Sequence, residues 1–381
     1  MEDLLPEKAL ENLKKTVRLF VTNQVAPLER LEKEYVQEFS KEKIASLQEK
    51  AWSAGFKALG AKKEWGGKGL SLYERSVIYE EASQHRLGIY HPAGDSFGEE
   101  LPNILEKCKQ NQIEKYVKPA IKQGKGCFIA LWEEEDDNHI ENINCLAIKN
   151  NKGWLINGSK SYIQKLDQSN FGIILVNCLD INGEKQPTLF IIEVNEATVV
   201  KETVLLNVQK SYDLVFKDVL VDDSRRIGAI GEGKELMKQW LTESQILLSA
   251  RCLGVSARAL QYAKDYAKIR ITRGKPLAEF PTIRTMIASG IVKLEAARLM
   301  VYHAAKKIDQ GDMDAESKAK MAKLISIDTA SKIIDDTLQI YGGAGFAGDF
   351  PMERWYKEIR FASLDLQKKE TIIEDIAKIH L

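Results

Sequence analysis

Gln339-Ile340-Tyr341-Gly342-Gly343-Ala344-Gly345-Phe346 is the stretch on which the reading of this chain turns. Met321, Leu324, Ile327, Ile334 and Leu338 run into it at near-helical spacing, which predicts a long helix ending here. Three glycines within four residues then stop that helix. Glycine accepts positive φ and has no Cβ, so the backbone can come close to another group. Taken alone, the stretch is a helix stop and a tight turn.

Two other stretches change its meaning. Upstream lies Ala267-Lys268-Ile269-Arg270-Ile271-Thr272-Arg273-Gly274-Lys275-Pro276-Leu277, and downstream lies Phe350-Pro351-Met352-Glu353-Arg354-Trp355-Tyr356-Lys357-Glu358-Ile359-Arg360. The three motifs, in this order and at these distances, resemble the C-terminal domain of the acyl-CoA dehydrogenase family. The resemblance extends over essentially the whole chain. It implies an α+β fold with an N-terminal α-helical domain over residues 1–125, a middle antiparallel β-sheet domain over 126–228 and a C-terminal α-helical bundle over 229–381.

The residue patterns agree with that order. Leu10, Leu13, Val17 and Phe20 repeat at helical spacing, and Pro27 then breaks the helix. Gly55, Gly60, Gly66, Gly67 and Gly69 form a glycine-rich connector. No Lys-Ser/Thr pair follows it, so it is structural and not a phosphate loop. Short apolar runs begin near 126: Phe128–Leu131, Trp154–Ile156, Phe171–Val176, Thr188–Ile192 and Asp213–Val221, with Asn157-Gly158 and Asn182-Gly183 as turns. Ile287, Ile291, Leu294, Val301 and Ile308 predict a long amphipathic helix later in the chain.

Bulk properties exclude other classes. The 381 residues suffice for two or three domains, and 55 basic side chains balance 55 acidic ones. No net field would draw in nucleic acid. The five cysteines are scattered, without a Cys-x-x-Cys, and are expected to be buried, reduced and free of metal. No apolar run approaches the roughly 18 residues of a membrane span, and Met1-Glu2-Asp3-Leu4-Leu5 is not a secretory signal. A cytoplasmic protein is expected.

The resemblance also implies chemistry. Members of the family bind FAD between the middle sheet and the C-terminal helices. A carboxylate takes the α-proton of an acyl thioester, and hydride passes to the flavin. Arg270 matches the arginine that reaches the FAD diphosphate of a neighbouring subunit, and Gln339, Gly342 and Gly343 match the turn lying against it. A homo-oligomer, dimer or tetramer, follows. Trp132, Tyr162 and Gln164 fall where the family contacts the isoalloxazine ring. The run Glu133 to Asp137 replaces part of that contact and is read as a solvated acidic loop. His139 has no second histidine nearby, so no metal site is expected.

The base is displaced or missing. The two places where the family keeps its glutamate fall on Leu366 and Ser244, and Asp365, Glu243 and Glu370 are the carboxylates that a shift of register would recruit. The implied substrate is an acyl thioester on CoA or an acyl-carrier protein, with electron-transfer flavoprotein or oxygen as acceptor. The alternatives are a catalytically silent binding or partner subunit and an oxygen-using flavin enzyme on a non-thioester substrate.

Overall fold

The computed structural model describes residues 6–31, 34–35, 38–134, 140, 142–179, 183–207, 209–347 and 350–381. Helices α1 (Glu7–Phe20), α2 (Lys41–Ser53), α3 (Leu72–Ala82) and the short α4 (Lys118–Gln123) come first. Strands β1 (Gly126–Ala130), β2 (Leu146–Asn150), β3 (Gly153–Gln164), β4 (Ser169–Leu179), β5 (Lys185–Glu193), β6 (Thr198–Val204), β7 (Lys210–Val221) and β8 (Arg226–Ile227) follow. Helices α5 (Gly233–Ile269), α6 (Pro281–Asp309), α7 (Ala315–Tyr341), α8 (Met352–Ala362) and α9 (Lys369–His380) complete the chain. This is the α+β order of helices, sheet, helices. The chain divides into two compact units, one of Met1–Phe56, Leu70–Phe97 and Thr242–Leu381, the other of Lys57–Gly69 and Gly98–Leu241.

In the helical unit, α3 is buried along most of its length. Its start is doubly specified. Ser71 and Glu74 form a reciprocal capping box, and the Leu72 and Tyr73 amides donate to the Asp309 carboxylate at 2.8 and 2.9 Å. Its buried charges each have a partner: Arg75 with Glu243 at 2.8 Å, Glu80 with Arg298 at 2.6 Å, Glu81 with Arg18 at 2.7 Å. Helix α5 crosses α3 at Gly254, where an added Cβ would stand 2.1 Å from the Glu80 carbonyl oxygen. No other residue fits that crossing without moving a helix.

The amphipathic pattern of α6 needs correction. Its buried face is Gly290, Leu294, Ala297, Val301, Ala304 and Ala305, whereas Ile291 is 42% exposed. Small residues let α6 approach its neighbours, and the larger Ile291 is turned outward. A tally that weights large aliphatic residues therefore picks the wrong stripe.

In the other unit the sheet order is β8-β5-β4-β2-β3-β7-β6, with β1 also pairing β4. β4 lies antiparallel to β5 (Phe171 opposite Glu193), and β3 lies antiparallel to β7 (Ile156 opposite Val219). Two parallel pairings add to the expected antiparallel ones: β1 with β4 (Cys127 opposite Phe171) and β2 with β4 (Leu146 opposite Asn177). β1 and β2 thus share one lane beside β4, and the chain between them leaves the sheet after Ala130 and returns at Leu146. The core includes Phe128, Ile156, Ile174, Phe190, Leu214 and Phe216.

The five cysteines are free thiols. Cys145, Cys178 and Cys252 are buried as expected, but Cys108 and Cys127 are only partly so. Burial pushes the Cys145 and Cys252 thiols up to about 12. Among the described residues no helix is long and apolar enough to cross a membrane.

Candidate cofactor and active site

The segment leaving the sheet at Leu131 is tied down by a buried ion pair. Lys160 on β3 is fully buried, and its Nζ donates to the Leu131 carbonyl at 2.9 Å and to Glu133 Oε1 at 2.8 Å. The Glu133 carboxylate also accepts from the Asn144 and Cys145 amides at 2.8 and 3.0 Å. Both ends of the loop are thereby closed on one carboxylate. This corrects the reading of Glu133 as solvated: it is 6% exposed. An ammonium and two amides satisfy its carboxylate, as a buried charge requires. Glu135, Asp136, Asp137 and His139 lie outside the described residues.

The same strut brings two expected contacts together. The Trp132 carbonyl accepts from the Ser161 amide at 2.8 Å, which sets partly buried Trp132 beside the bulge carrying Tyr162. Tyr162 has φ 60°, an uncommon value for a side-chain-bearing residue on a strand, and its ring is 55% exposed. Its amide donates to Asp213 Oδ1 at 3.3 Å. Gln164 ends the strand two positions later and is partly buried.

In the helical unit the ends of α5 and α7 pack together. Tyr266 and Tyr341 stack with ring centroids 4.1 Å apart, and Ala263, Ala267 and Ile340 form one apolar cluster. Arg270 follows α5 directly and is exposed. Its carbonyl accepts from the Leu277 amide at 2.9 Å, which closes the small hairpin Ile271–Pro276. Its guanidinium has no partner among the described residues. Beyond α7, Gly342 has φ 59° and ψ −138°, a region open essentially to glycine alone. A Cβ added at Gly342 or Gly343 would meet nothing within 4 Å. Among the described residues nothing therefore crowds these glycines. Gln339 is exposed on the last turn of α7.

The three candidate carboxylates have different surroundings. Glu243 is buried in its ion pair with Arg75. Glu370 is exposed on the first turn of α9. Asp365 is partly buried: Oδ2 accepts from the hydroxyl of buried Tyr90 at 3.4 Å, and Oδ1 from the Leu366 amide at 2.9 Å. Burial, and then Asp365 itself, raise the Tyr90 phenol well above its ordinary range, so it stays a donor. Leu366 and Gln367 both take positive φ, 51° and 87°. The turn at these two positions is left-handed although neither residue is glycine.

Sequence reasoning missed Lys160, Lys323 and Tyr90. Lys323 gave a signal: it falls in register with Ala319, Ala322, Ser326 and Ala330 on the buried face of α7. Among the described residues no group of three His, Cys, Asp or Glu side chains is arranged to hold a metal ion.

The family termed Acyl-CoA dehydrogenase, N-terminal domain, matches residues 7–124, and Acyl-CoA dehydrogenase, C-terminal domain, matches residues 231–378. A 3-(aryl)acrylate reductase of Clostridium sporogenes is 29% identical over 360 residues, covering 93% of this chain and 93% of its own length. An acyl-CoA dehydrogenase of Bacillus subtilis is also 29% identical over 360 residues, covering 92% of each chain. The solved structure of butyryl-CoA dehydrogenase from Megasphaera elsdenii superposes with a TM-score of 0.85 at 24% identity, covering 100% of this chain and 99% of that one.

Proposed function

This chain belongs to the acyl-CoA dehydrogenase family, and from that membership we propose an FAD-dependent oxidoreductase of acyl thioesters in which Asp365 takes the substrate proton. One observation carries the cofactor reading. The Cβ-free turn Gly342-Gly343 and the guanidinium of Arg270, which has no partner among the described residues, lie at the ends of two helices packed against each other. Glycines let a ligand approach the backbone closely, and a guanidinium suits a diphosphate. Arg270 and the Gln339–Gly343 turn would hold the diphosphate. The exposed ring of Tyr162, with Trp132, would flank the isoalloxazine, and Gln164 would offer it a hydrogen bond. Bound FAD supplies the two-electron acceptor.

Asp365 is preferred as base because Glu243 is committed to Arg75 and Glu370 faces solvent. Tyr90 and the Leu366 amide orient its carboxylate. The substrate is an acyl-CoA or acyl-carrier-protein thioester, and the acceptor an electron-transfer flavoprotein or oxygen. Since Asp365 precedes the usual position by one residue, ordinary straight-chain acyl-CoAs are expected to be poor substrates. A homo-oligomer, dimer or tetramer, is supported by Ile291, Val292, Leu299 and Met300, which are 42, 68, 71 and 41% exposed on α6. Free cysteines fit the cytoplasm.

The experiment has two stages. Purified protein should be yellow or gain thermal stability with added FAD, and a colourless protein without that shift would remove the reading. Anaerobic flavin bleaching by a panel of acyl thioesters should then be abolished by Asp365→Asn while the spectrum of bound FAD is kept. Rapid bleaching in that variant would sink Asp365 as the base.

A further inference from the structure

Lys323 lies on the buried face of α7, and its side chain is wholly enclosed, 0% exposed. A buried ammonium ordinarily sits against a carboxylate. Here Nζ donates to three successive backbone carbonyls, those of Asp365, Leu366 (3.3 Å) and Gln367 (2.5 Å). Gln245 on α5 reinforces the arrangement: its Nε2 donates to the Leu366 carbonyl at 3.0 Å and to Gln367 Oε1 at 3.3 Å.

These carbonyls belong to the turn in which Leu366 and Gln367 both take positive φ. Two consecutive side-chain-bearing residues in that region persist only where their surroundings over-determine them. Lysine carries three N–H donors at one point, matching three carbonyls turned inward. The same turn aims Asp365, whose carboxylate meets the Tyr90 hydroxyl and the Leu366 amide. The ammonium is thus bound to the three peptide units that directly follow the carboxylate-bearing residue it would orient.

We infer that Lys323 is a positioning residue: by gathering the carbonyls of Asp365, Leu366 and Gln367 it locks the left-handed turn that presents the Asp365 carboxylate. The inference rests on the reading of Asp365 as base. Lys323 touches no substrate in this role.

The test uses the FAD-loaded full chain with Lys323→Met. Expected results are an unchanged bound-flavin spectrum, amide exchange at 364–368 at least about tenfold faster, and bleaching slower by about 100-fold, the low end of a base's contribution. The loss should fall on the limiting bleaching rate, with the thioester concentration for half-maximal rate unchanged, because the turn orients the base and touches no substrate; a purely structural lysine would change neither in the folded variant. If Lys323→Met does not fold, Lys323→Gln, which keeps two N–H donors, should show the same split with a smaller loss of rate. Wild-type exchange at the turn, or a wild-type limiting rate, in the folded variant overturns the inference. Failure of the wild-type protein to bleach with any thioester would instead refute the reading of Asp365, and exchange at 364–368 would still decide whether Lys323 holds the turn.

Discussion

Replacing Lys160 by methionine keeps the length of the side chain and removes its charge. Glu133, 6% exposed, then loses its bond to the Lys160 ammonium and keeps two amide donors, and the Leu131 carbonyl loses its side-chain donor. Breaking a buried pair from one side typically costs about 3–5 kcal/mol. An unsatisfied carbonyl adds about 1–3 kcal/mol. The Asn144 and Cys145 amides still hold Glu133 and offset part of the loss. The net expectation for Lys160→Met is about 3 kcal/mol, equivalent to ~6–12 °C in the melting of a unit of this size. Glu133→Gln keeps an acceptor for Lys160 and should cost less. Melting curves of the two single variants and the double variant form a cycle, and the double should be at least 1 kcal/mol milder than the sum, roughly the coupling of a hydrogen-bonded charged pair. Since Trp132 hangs on the same strut, FAD affinity in Lys160→Met should also fall about tenfold, or 1.4 kcal/mol. A Lys160→Met protein melting within about 1 °C of wild type, or a cycle without coupling, would show that the pair does not anchor the loop.

Arg270→Ala should lower FAD affinity about tenfold, a loss of ~1.4 kcal/mol. It should leave the melting of the FAD-free chain unchanged, because the guanidinium is exposed; equal FAD titrations of the two proteins would refute its role. Gly342→Ala places a Cβ in a glycine-only backbone region and should destabilise the chain by about 1–3 kcal/mol in a thermal melt, even though the space around it is open. Lys323 supplies a pH test. Burial lowers its amine to about 8, with Asp365 and Cys252 acting the other way. The folded-state value thus lies below the unfolded one of about 10.4. Below pH 8 both states are protonated, and the cost of burying the charge is fully present. As pH rises from 8 toward 10 the folded state releases its proton first, so wild type should gain about 3 kcal/mol relative to Lys323→Met. Urea midpoints of the two proteins across that range check the sign, and parallel curves would refute it.

Much of the architecture was legible in the residues. Helical spacing before Gln339 and three closely set glycines after Tyr341 gave the stop of α7, and the change of period near 126 gave the order of elements, whereas α1 already ends at Phe20 and helical turns run on through Pro27 to Glu29. These are local properties: a period, a missing Cβ or a missing N–H acts on the nearest few residues. Arg270 and the glycine turn were singled out by motif as candidates, and the tyrosine stack between α5 and α7 packs the helix ends that carry them.

The sequence by itself determined the kinds of element, their order and the family; the tertiary structure alone decided which charges are buried and what each carboxylate meets. Glu133 reads as one acid in an acidic run until Lys160, 27 positions away, is folded against it. Asp365 and Glu243 are equivalent acids on paper, yet one is paired with Arg75, 168 positions away, while Tyr90, 275 positions away, meets the other. The direction of β1 and β2 against β4, and the small-residue face of α6, were likewise set by neighbours distant in the chain. Burial and ionic pairing depend on what stands within a few ångströms in space, and residue order fixes that only once the chain has closed on itself.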